Sequence, residues 1–284
     1  MILAAASGKG GTGKTTVAVN LARILSNPVQ LLDCDVEEPN ARLFLDGEFR
    51  GSEIVSIPIP EVDETLCNAC GECGAFCRYH AIVSLKTKPL VVPDMCHGCG
   101  GCTLVCPLGA IREIGRPIGV VETFQSGNVT LIHGRLNIGA AMAPPLIRAV
   151  KSRLRNGTDA ILDAPPGTSC PVITTLRGAD LAILVTEPTP FGLHDLKLAV
   201  EVVREIAVPF GVVVNRSGIG DDRVQAFCAR EEIPVLLEIP DDRRIAEAYS
   251  RGEMIVEALP EYRKHFERLL RNVQALDREK GTRT

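Results

Sequence analysis

The sequence contains no uninterrupted apolar stretch approaching the ~20 residues that a membrane-spanning helix requires, so no spanning segment is expected. No leader is expected either. Met1-Ile2-Leu3-Ala4-Ala5-Ala6 runs straight into a glycine-rich loop, with no charged n-region, no long apolar core and no cleavage signal. The expected location is the cytoplasm. An excess of one charge is missing too: the formal net charge of −4 over 284 residues gives no general attraction for nucleic acid or an acidic membrane surface. Neither is an expected partner, so partners must be argued from sites.

What is present in quantity is cysteine. Eight of the 11 cysteines lie in two compact runs between Cys67 and Cys106 at short regular spacing, which favours metal over disulfides. Cys34, Cys170 and Cys228 stand outside the runs, far apart, and each reads as a small buried residue and not a ligand.

A chain of 284 residues suits one large domain plus one small one. Short β-branched runs at Val29–Asp33, Ala160–Asp163, Leu181–Thr186, Phe210–Asn215 and Val235–Ile239 read as buried strands. They alternate with amphipathic helical patterns at Thr15–Leu25, Leu146–Arg155, His194–Ile206 and Asp222–Glu231. Strict βα alternation predicts an α/β fold, a doubly wound, mainly parallel sheet with helices on both faces. Pro58, Pro60, Pro89, Pro93, Pro107 and Pro117 break that rhythm, and glycine and cysteine replace the helical periodicity between them. The expected organisation is a discontinuous domain, 1–58 and 117–284, with an inserted small α+β domain at 59–116. Within the insertion, Cys67–Ile82 and Cys96–Ile111 repeat each other at the same internal spacing, each closing on Ala-Ile, which suggests a pseudo-twofold module. The alternative, a zinc ribbon, commonly uses paired C-x-x-C knuckles instead of four cysteines per run.

Gly8-Lys9-Gly10-Gly11-Thr12-Gly13-Lys14-Thr15-Thr16 follows a strand and opens a helix, the context a phosphate-binding loop needs. The glycines let successive N–H groups turn inward around phosphate oxygens, the helix start adds its positive end, and Lys14 supplies a point charge. Thr15 is the expected Mg²⁺ ligand. Lys9 is not required to cradle phosphate within one subunit. With its loop it resembles the signature lysine of the MinD/ParA/nitrogenase-iron-protein group, the deviant Walker A P-loop ATPases. That resemblance covers the chain outside the cysteine region and implies a homodimer in which Lys9 reaches the partner subunit's nucleotide. A solvated surface lysine is the alternative.

The same resemblance assigns further roles. Leu31-Leu32-Asp33-Cys34-Asp35-Val36-Glu37-Glu38-Pro39-Asn40 is similar to the family's first switch, which implies that Asp35 activates or orients the attacking water. Ile161-Leu162-Asp163-Ala164-Pro165-Pro166-Gly167 resembles the Walker B and second-switch segment, which implies that Asp163 acts through the Mg²⁺ shell. A lone aspartate at a strand end is otherwise a cap or turn former. Asn215 stands where the family hydrogen-bonds adenine; a guanine site would call for an N-K-x-D-like segment, and the chain has Asn215-Arg216-Ser217-Gly218. The implied ligands are ATP or ADP with Mg²⁺, and the implied catalytic set is Lys9, Lys14, Asp35 and Asp163.

Cys67-x-x-Cys70-x-x-Cys73-x-x-x-Cys77 and Cys96-x-x-Cys99-x-x-Cys102-x-x-x-Cys106-Pro107 each resemble the bacterial ferredoxin run, in which the fourth cysteine ligates the other cluster. The resemblance implies two [4Fe-4S] clusters. One would be held by Cys67, Cys70, Cys73 and Cys106, the other by Cys96, Cys99, Cys102 and Cys77. Arg78 replaces the proline after Cys77 and either raises that cluster's potential or lies in solvent.

Switch and clusters together resemble MinD-type ATPases with an inserted ferredoxin domain, a likeness that includes Asp-Val-Glu-Glu-Pro-Asn at 35–40. The expected function is ATP-gated electron transfer through the clusters to an unidentified redox or iron–sulfur acceptor. Mrp-type cluster carriers are the first alternative, but they carry a C-x-x-C pair near the dimer face and Cys228 stands alone. A MinD-like spatial organiser is the second. It needs a C-terminal amphipathic membrane helix, whereas the Phe266, Leu269, Leu270, Val273, Leu276 stripe ends in a polar tail through Thr284 and reads as core packing. Cys170 matches, by resemblance, a cluster-bridging cysteine of the nitrogenase iron protein whose companion has no match here, so a buried or switch-associated thiol is expected. His80, His97 and His133 are expected to make structural hydrogen bonds or face solvent.

Overall fold

The computed structural model describes residues 1–85 and 87–281, and the side chains of these except 279–281. Thr282, Arg283 and Thr284, part of the polar tail weighed above, lie outside the described residues. The chain divides into two compact units: a larger one of 1–52, 121–135 and 147–284, and a smaller one of 53–120 and 136–146. The insertion bounds expected from sequence, 59 and 116, fall within the long strands that run from one unit into the other.

In chain order the elements are β1 Ile2–Ala6, α1 Lys14–Ile24, β2 Val29–Asp33, β3 Glu48–Val62, α2 Glu72–Phe76, β4 Ile82–Ser84, β5 Pro89–Val91 and α3 Gly101–Val105. There follow β6 Ile111–Ser126, β7 Val129–Leu136, α4 Pro144–Lys151, β8 Asp159–Asp163, α5 Cys170–Leu176, β9 Leu181–Thr186 and α6 Pro190–Glu205. The chain ends with β10 Phe210–Ser217, α7 Arg223–Arg230, β11 Val235–Pro240, α8 Arg243–Ser250, α9 Ile255–Ala258 and α10 Arg263–Gly281. The main sheet has the order β11-β10-β9-β1-β8-β2-β7-β6-β3, and every pairing from β11 to β7 is parallel. This is an α/β fold with a mostly parallel central sheet.

Burial explains the parallel core. β2 and β9 are buried at every position and β1 and β8 at all but the first, as strands covered on both faces must be. Val17, Leu21, Leu31, Leu131, Ile183 and Leu237 share one apolar cluster, which Phe266, Leu269 and Val273 of α10 also join. The C-terminal stripe therefore packs into the core, as expected. Among the described residues no helix is long and apolar enough to cross a membrane.

α6 starts at Pro190, four residues before the expected His194, because the Thr189 hydroxyl accepts from the Gly192 N–H and Pro190 fills the first turn. In the smaller unit, β4 and β5 pair antiparallel, and Cys73, Ile82 and Ile111 form a small core against which Val62, Val91 and Cys106 pack. The sequence repeat is visible in the backbone. α2 and α3 occupy matching positions, and left-handed residues recur at Ala69 and Gly98, Gly71 and Gly100, and His80 and Gly109.

Candidate functional site

β1 ends at Ala6 and α1 opens at Lys14, so residues 7–13 form a loop at the carboxyl end of a central strand, the position where open α/β sheets bind ligands. Gly13 caps α1 in the left-handed region at φ 96°, with no side chain on the helix's first N–H groups, which leaves these donors for an anion. The Thr12 carbonyl accepts from Asn215 Nδ2 at 2.8 Å, and a Cβ on Gly13 would sit 2.5 Å from that same nitrogen. Gly8 is as constrained, since its Cβ would lie 2.2 Å from the Asp195 carbonyl oxygen on α6. The loop is thus wedged between β10 and α6, and only glycine fits at both contacts.

The expected nucleotide-site residues come together. Lys14 is buried, and burial lowers its pKa against the opposing pull of Asp163, Asp35 and Asp33. Burial raises Asp35 to about 6, with Lys14 drawing it back and the Glu38 N–H lowering it further. Asp163 ends β8 fully buried, and burial pushes its carboxyl up while nearby Thr15 and Lys14 moderate the shift. Neither Asp163 oxygen has a well-formed hydrogen bond, and the buried Thr12 hydroxyl has none either. Unpartnered carboxylate oxygens beside a threonine hydroxyl and a phosphate-type loop are a donor set that suits a hard divalent cation.

Two participants were not expected. Asp33, fully buried and pushed well up by burial and then by Asp163, accepts from the N–H groups of Asp35, Asn40 and Ala41 at 3.0–3.1 Å. It therefore pins both ends of the segment that carries Asp35. Glu187, buried just past β9, lies 3.1 Å from Lys9 Nζ and 3.0 Å from Arg216 Nη1. Lys9 is paired within its own chain here. Asn215 uses both ends of its amide, donating to Thr12 and accepting from the Arg216 N–H at 3.0 Å, so it ties β10 to the loop. Asp33 sits two residues before Asp35, and Glu187 follows a strand on the same sheet edge; that placement was the available signal for each.

In the smaller unit, Cys67, Cys70, Cys73 and Cys106 line one cavity, and Cys77, Cys96, Cys99 and Cys102 line a second. The eight thiols gather in two groups that cross the two runs, with Cys106 beside the first run and Cys77 beside the second, as the ferredoxin resemblance implies. All are free. Burial raises the Cys73 thiol, and Cys67 and Cys106 raise it further; burial likewise raises Cys102, with Cys96 adding. Backbone donors face the sulfurs, Gly98 N–H to Cys96 Sγ at 3.4 Å and Ala110 N–H to Cys106 Sγ at 3.3 Å. Among the described residues no three His, Cys, Asp or Glu side chains converge closely enough for a single metal ion. The thiols surround cavities instead, an arrangement that fits a cluster with several metal atoms.

The other cysteines divide. Cys34 and Cys228 are buried, as expected, and burial pushes Cys228 up to about 11. Cys170 is exposed at the first position of α5, so it is not a buried thiol. Arg78 is exposed on the rim of the second cavity, His97 stacks on Tyr79, and buried His133 pairs with Glu122 at 2.8 Å.

Fold and loop together define a P-loop nucleotide-binding protein. Residues 3–256 match the model of the CobQ/CobB/MinD/ParA nucleotide binding domain, and the chain belongs to that family of P-loop ATPases. It is 32% identical over 259 residues to the uncharacterized protein MJ0579 of Methanocaldococcus jannaschii, covering 89% of this chain and 90% of that one. It is 26% identical over 283 residues to an iron-sulfur cluster carrier protein of Aquifex aeolicus, covering 92% of this chain and 63% of that one. Among solved structures, the septum site-determining protein MinD of Pyrococcus horikoshii in complex with Mg-ADP superposes with a TM-score of 0.59 at 24% identity, over 96% of this chain and 95% of that one. This last likeness is one of fold.

Proposed function

We propose that the chain is a nucleotide-switched homodimeric ATPase that gates electron transfer through two [4Fe-4S] clusters to a redox partner. The observation that carries the reading is the pair of four-cysteine cavities in the same chain as the P-loop site. In this reading the smaller unit is a ferredoxin-like module. Cys67, Cys70, Cys73 and Cys106 hold one cluster, and Cys77, Cys96, Cys99 and Cys102 hold the other.

On the nucleotide side, the free N–H groups at the start of α1 and the Lys14 ammonium bind the β- and γ-phosphates of ATP. Thr15 as ligand and Asp163 acting through the metal would hold Mg²⁺. Mg²⁺, when bound, neutralises phosphate charge. Asp35 orients the attacking water from a segment that Asp33 keeps in place. Asn215 holds the loop and faces the base. Lys9 leaves Glu187 and reaches the partner subunit's nucleotide, so the dimer closes only with ATP present. The clusters, when bound, supply one-electron carriers.

The test is anaerobic reconstitution followed by an EPR-monitored redox titration of the protein alone, with MgADP, and with Mg²⁺ and a non-hydrolysable ATP analogue. A nucleotide-dependent potential shift of tens of millivolts supports gating, since about 59 mV per electron is a tenfold change in equilibrium. Potentials that do not move in any state rule out tuning by nucleotide. Cys106→Ser should remove the signal of the first cluster alone and Cys77→Ser that of the second; loss of neither would contradict the ligand sets.

A second reading, cluster delivery, is favoured by the carrier proteins among the relatives. Buried, unaccompanied Cys228 offers no surface pair for a transferred cluster, which keeps electron transfer first.

A further inference from the structure

The two cysteine cavities are built on matched backbone, so their differences lie in side chains. Each set has one exposed thiol, Cys70 or Cys99, one buried thiol, Cys73 or Cys96, and two of intermediate exposure. The left-handed residues match as well. The rims do not. In the second cavity Tyr79 and His97 are stacked, ring centroids 3.6 Å apart and planes within 9°. By the repeat, Leu108 occupies the place of Tyr79 in the first cavity and Asn68 the place of His97. The ring pair joins the two half-motifs across the rim, one ring two residues after Cys77 and the other next to Cys96. An amide and an isobutyl group cannot form such a pair.

We propose that the two sites are unequal in retention: the second keeps its cluster behind the Tyr79–His97 pair, and the first exchanges its cluster with solution. The inference rests on the reading that each cavity holds a cluster. To remove iron, water or a chelator must reach it. In the second cavity the stacked rings, both exposed, stand beside Cys77 and Cys96, and approach on that side requires them to part at the cost of an aromatic contact, while the side of exposed Cys99 is open, as that of Cys70 is in the first. In the first, no ring contact has to break. The loss involves no electron transfer. Iron leaves as its chelate, sulfide leaves as hydrosulfide, and each freed thiolate takes a proton from water. One resident and one exchangeable cluster would let a single module carry electrons and still release a cluster.

The test uses the full chain, reconstituted anaerobically to about eight irons and then exposed to excess EDTA, with iron release and EPR followed together. The expected course is biphasic, half the iron in each phase, with the slow phase roughly two- to tenfold slower. The double variant Tyr79→Leu/His97→Asn gives the second rim the side chains of the first and should merge the phases into one fast phase. The reciprocal variant Leu108→Tyr/Asn68→His should slow the fast phase. Uptake of about eight irons by each variant reports that its cysteine unit is folded. A single phase in the unaltered protein, or two phases indifferent to both swaps, overturns the inference while leaving the two-cluster reading intact. Failure to take up iron overturns both.

Discussion

Replacing Glu187 with glutamine removes the charge that Lys9 and Arg216 share while keeping the shape of the side chain. If Lys9 must leave Glu187 to serve the partner subunit's nucleotide, the pair opposes dimer closure and its loss favours closure. The magnitude follows from exposure. Lys9 is 33% exposed at its side chain and Glu187 only 9%, so the pair belongs at the upper end of the range for surface ion pairs, about 1 kcal/mol. A symmetric dimer breaks two such pairs, about 2 kcal/mol in all, which is roughly a 30-fold tighter dimer. Sedimentation equilibrium with Mg²⁺ and a non-hydrolysable ATP analogue measures this directly. The gap between variant and unaltered protein should narrow at high salt, because the lysine end of the pair is partly screened. Arg216→Gln should act in the opposite sense, leaving Glu187 to hold Lys9 alone. An E187Q protein that melts normally yet dimerises no better than the unaltered chain would refute the reasoning.

Asp35→Asn separates stability from chemistry. Burial raises the Asp35 carboxyl to about 6, above its unfolded value near 4, so the folded state holds the extra proton between these pH values. Stability of the nucleotide-free protein therefore falls as pH rises through that window and stays at the lower level above it. Asparagine removes this penalty. At pH 7.5 the variant should be more stable by roughly 1 kcal/mol, a figure discounted for partial solvent access, while ATP hydrolysis drops about 100-fold or more; thermal melts and a phosphate-release assay check both. Gly8→Ala places a methyl group 2.2 Å from the Asp195 carbonyl oxygen, so the loop must move and ATP affinity should fall at least tenfold by calorimetry. An affinity within twofold of the original counts against a rigid loop. Gly101→Ala sets a Cβ 2.1 Å from a Phe76 ring carbon in the cysteine unit; iron content should fall while ATP binding stays unchanged.

Much of the fold was legible because buried parallel strands announce themselves. Val29–Asp33 and Leu181–Thr186 are continuous apolar runs apart from Gln30 and the closing polar residues, and both appear with the bounds the sequence suggests. β3 and β6 did not stand out. Their exposed, half-buried and buried positions follow no regular alternation, with glycine and proline inside the runs, so no apolar period marks them. The start of α6 was missed for a local reason. Thr189-Pro190 is a capping pair whose effect depends on the Gly192 N–H three residues on, and the apolar period becomes visible only later in the helix.

At the site, what could be read was whatever spacing encodes. The P-loop is a contiguous string that places Lys14 and Thr15 at the start of α1, and the spacing of the cysteines marks two runs; that Cys77 and Cys106 change sides between the two cavities came from the ferredoxin resemblance and not from the spacing. Asp33, Glu187 and Arg216 are different. Each is one ordinary charged residue whose meaning comes from a neighbour far away in the chain: Glu187 matters because residue 9 is a lysine, and Arg216 because both reach the same carboxylate. Asp33 looks like one more acid in an acidic segment until its two oxygens are found holding three backbone N–H groups. A pattern along one sequence cannot carry that information, since swapping Asp33 and Asp35 in their roles leaves the composition and spacing of the segment unchanged. Only the parallel register that sets Asp33 beside Asp163 assigns one to pin the segment and leaves the other to face Lys14.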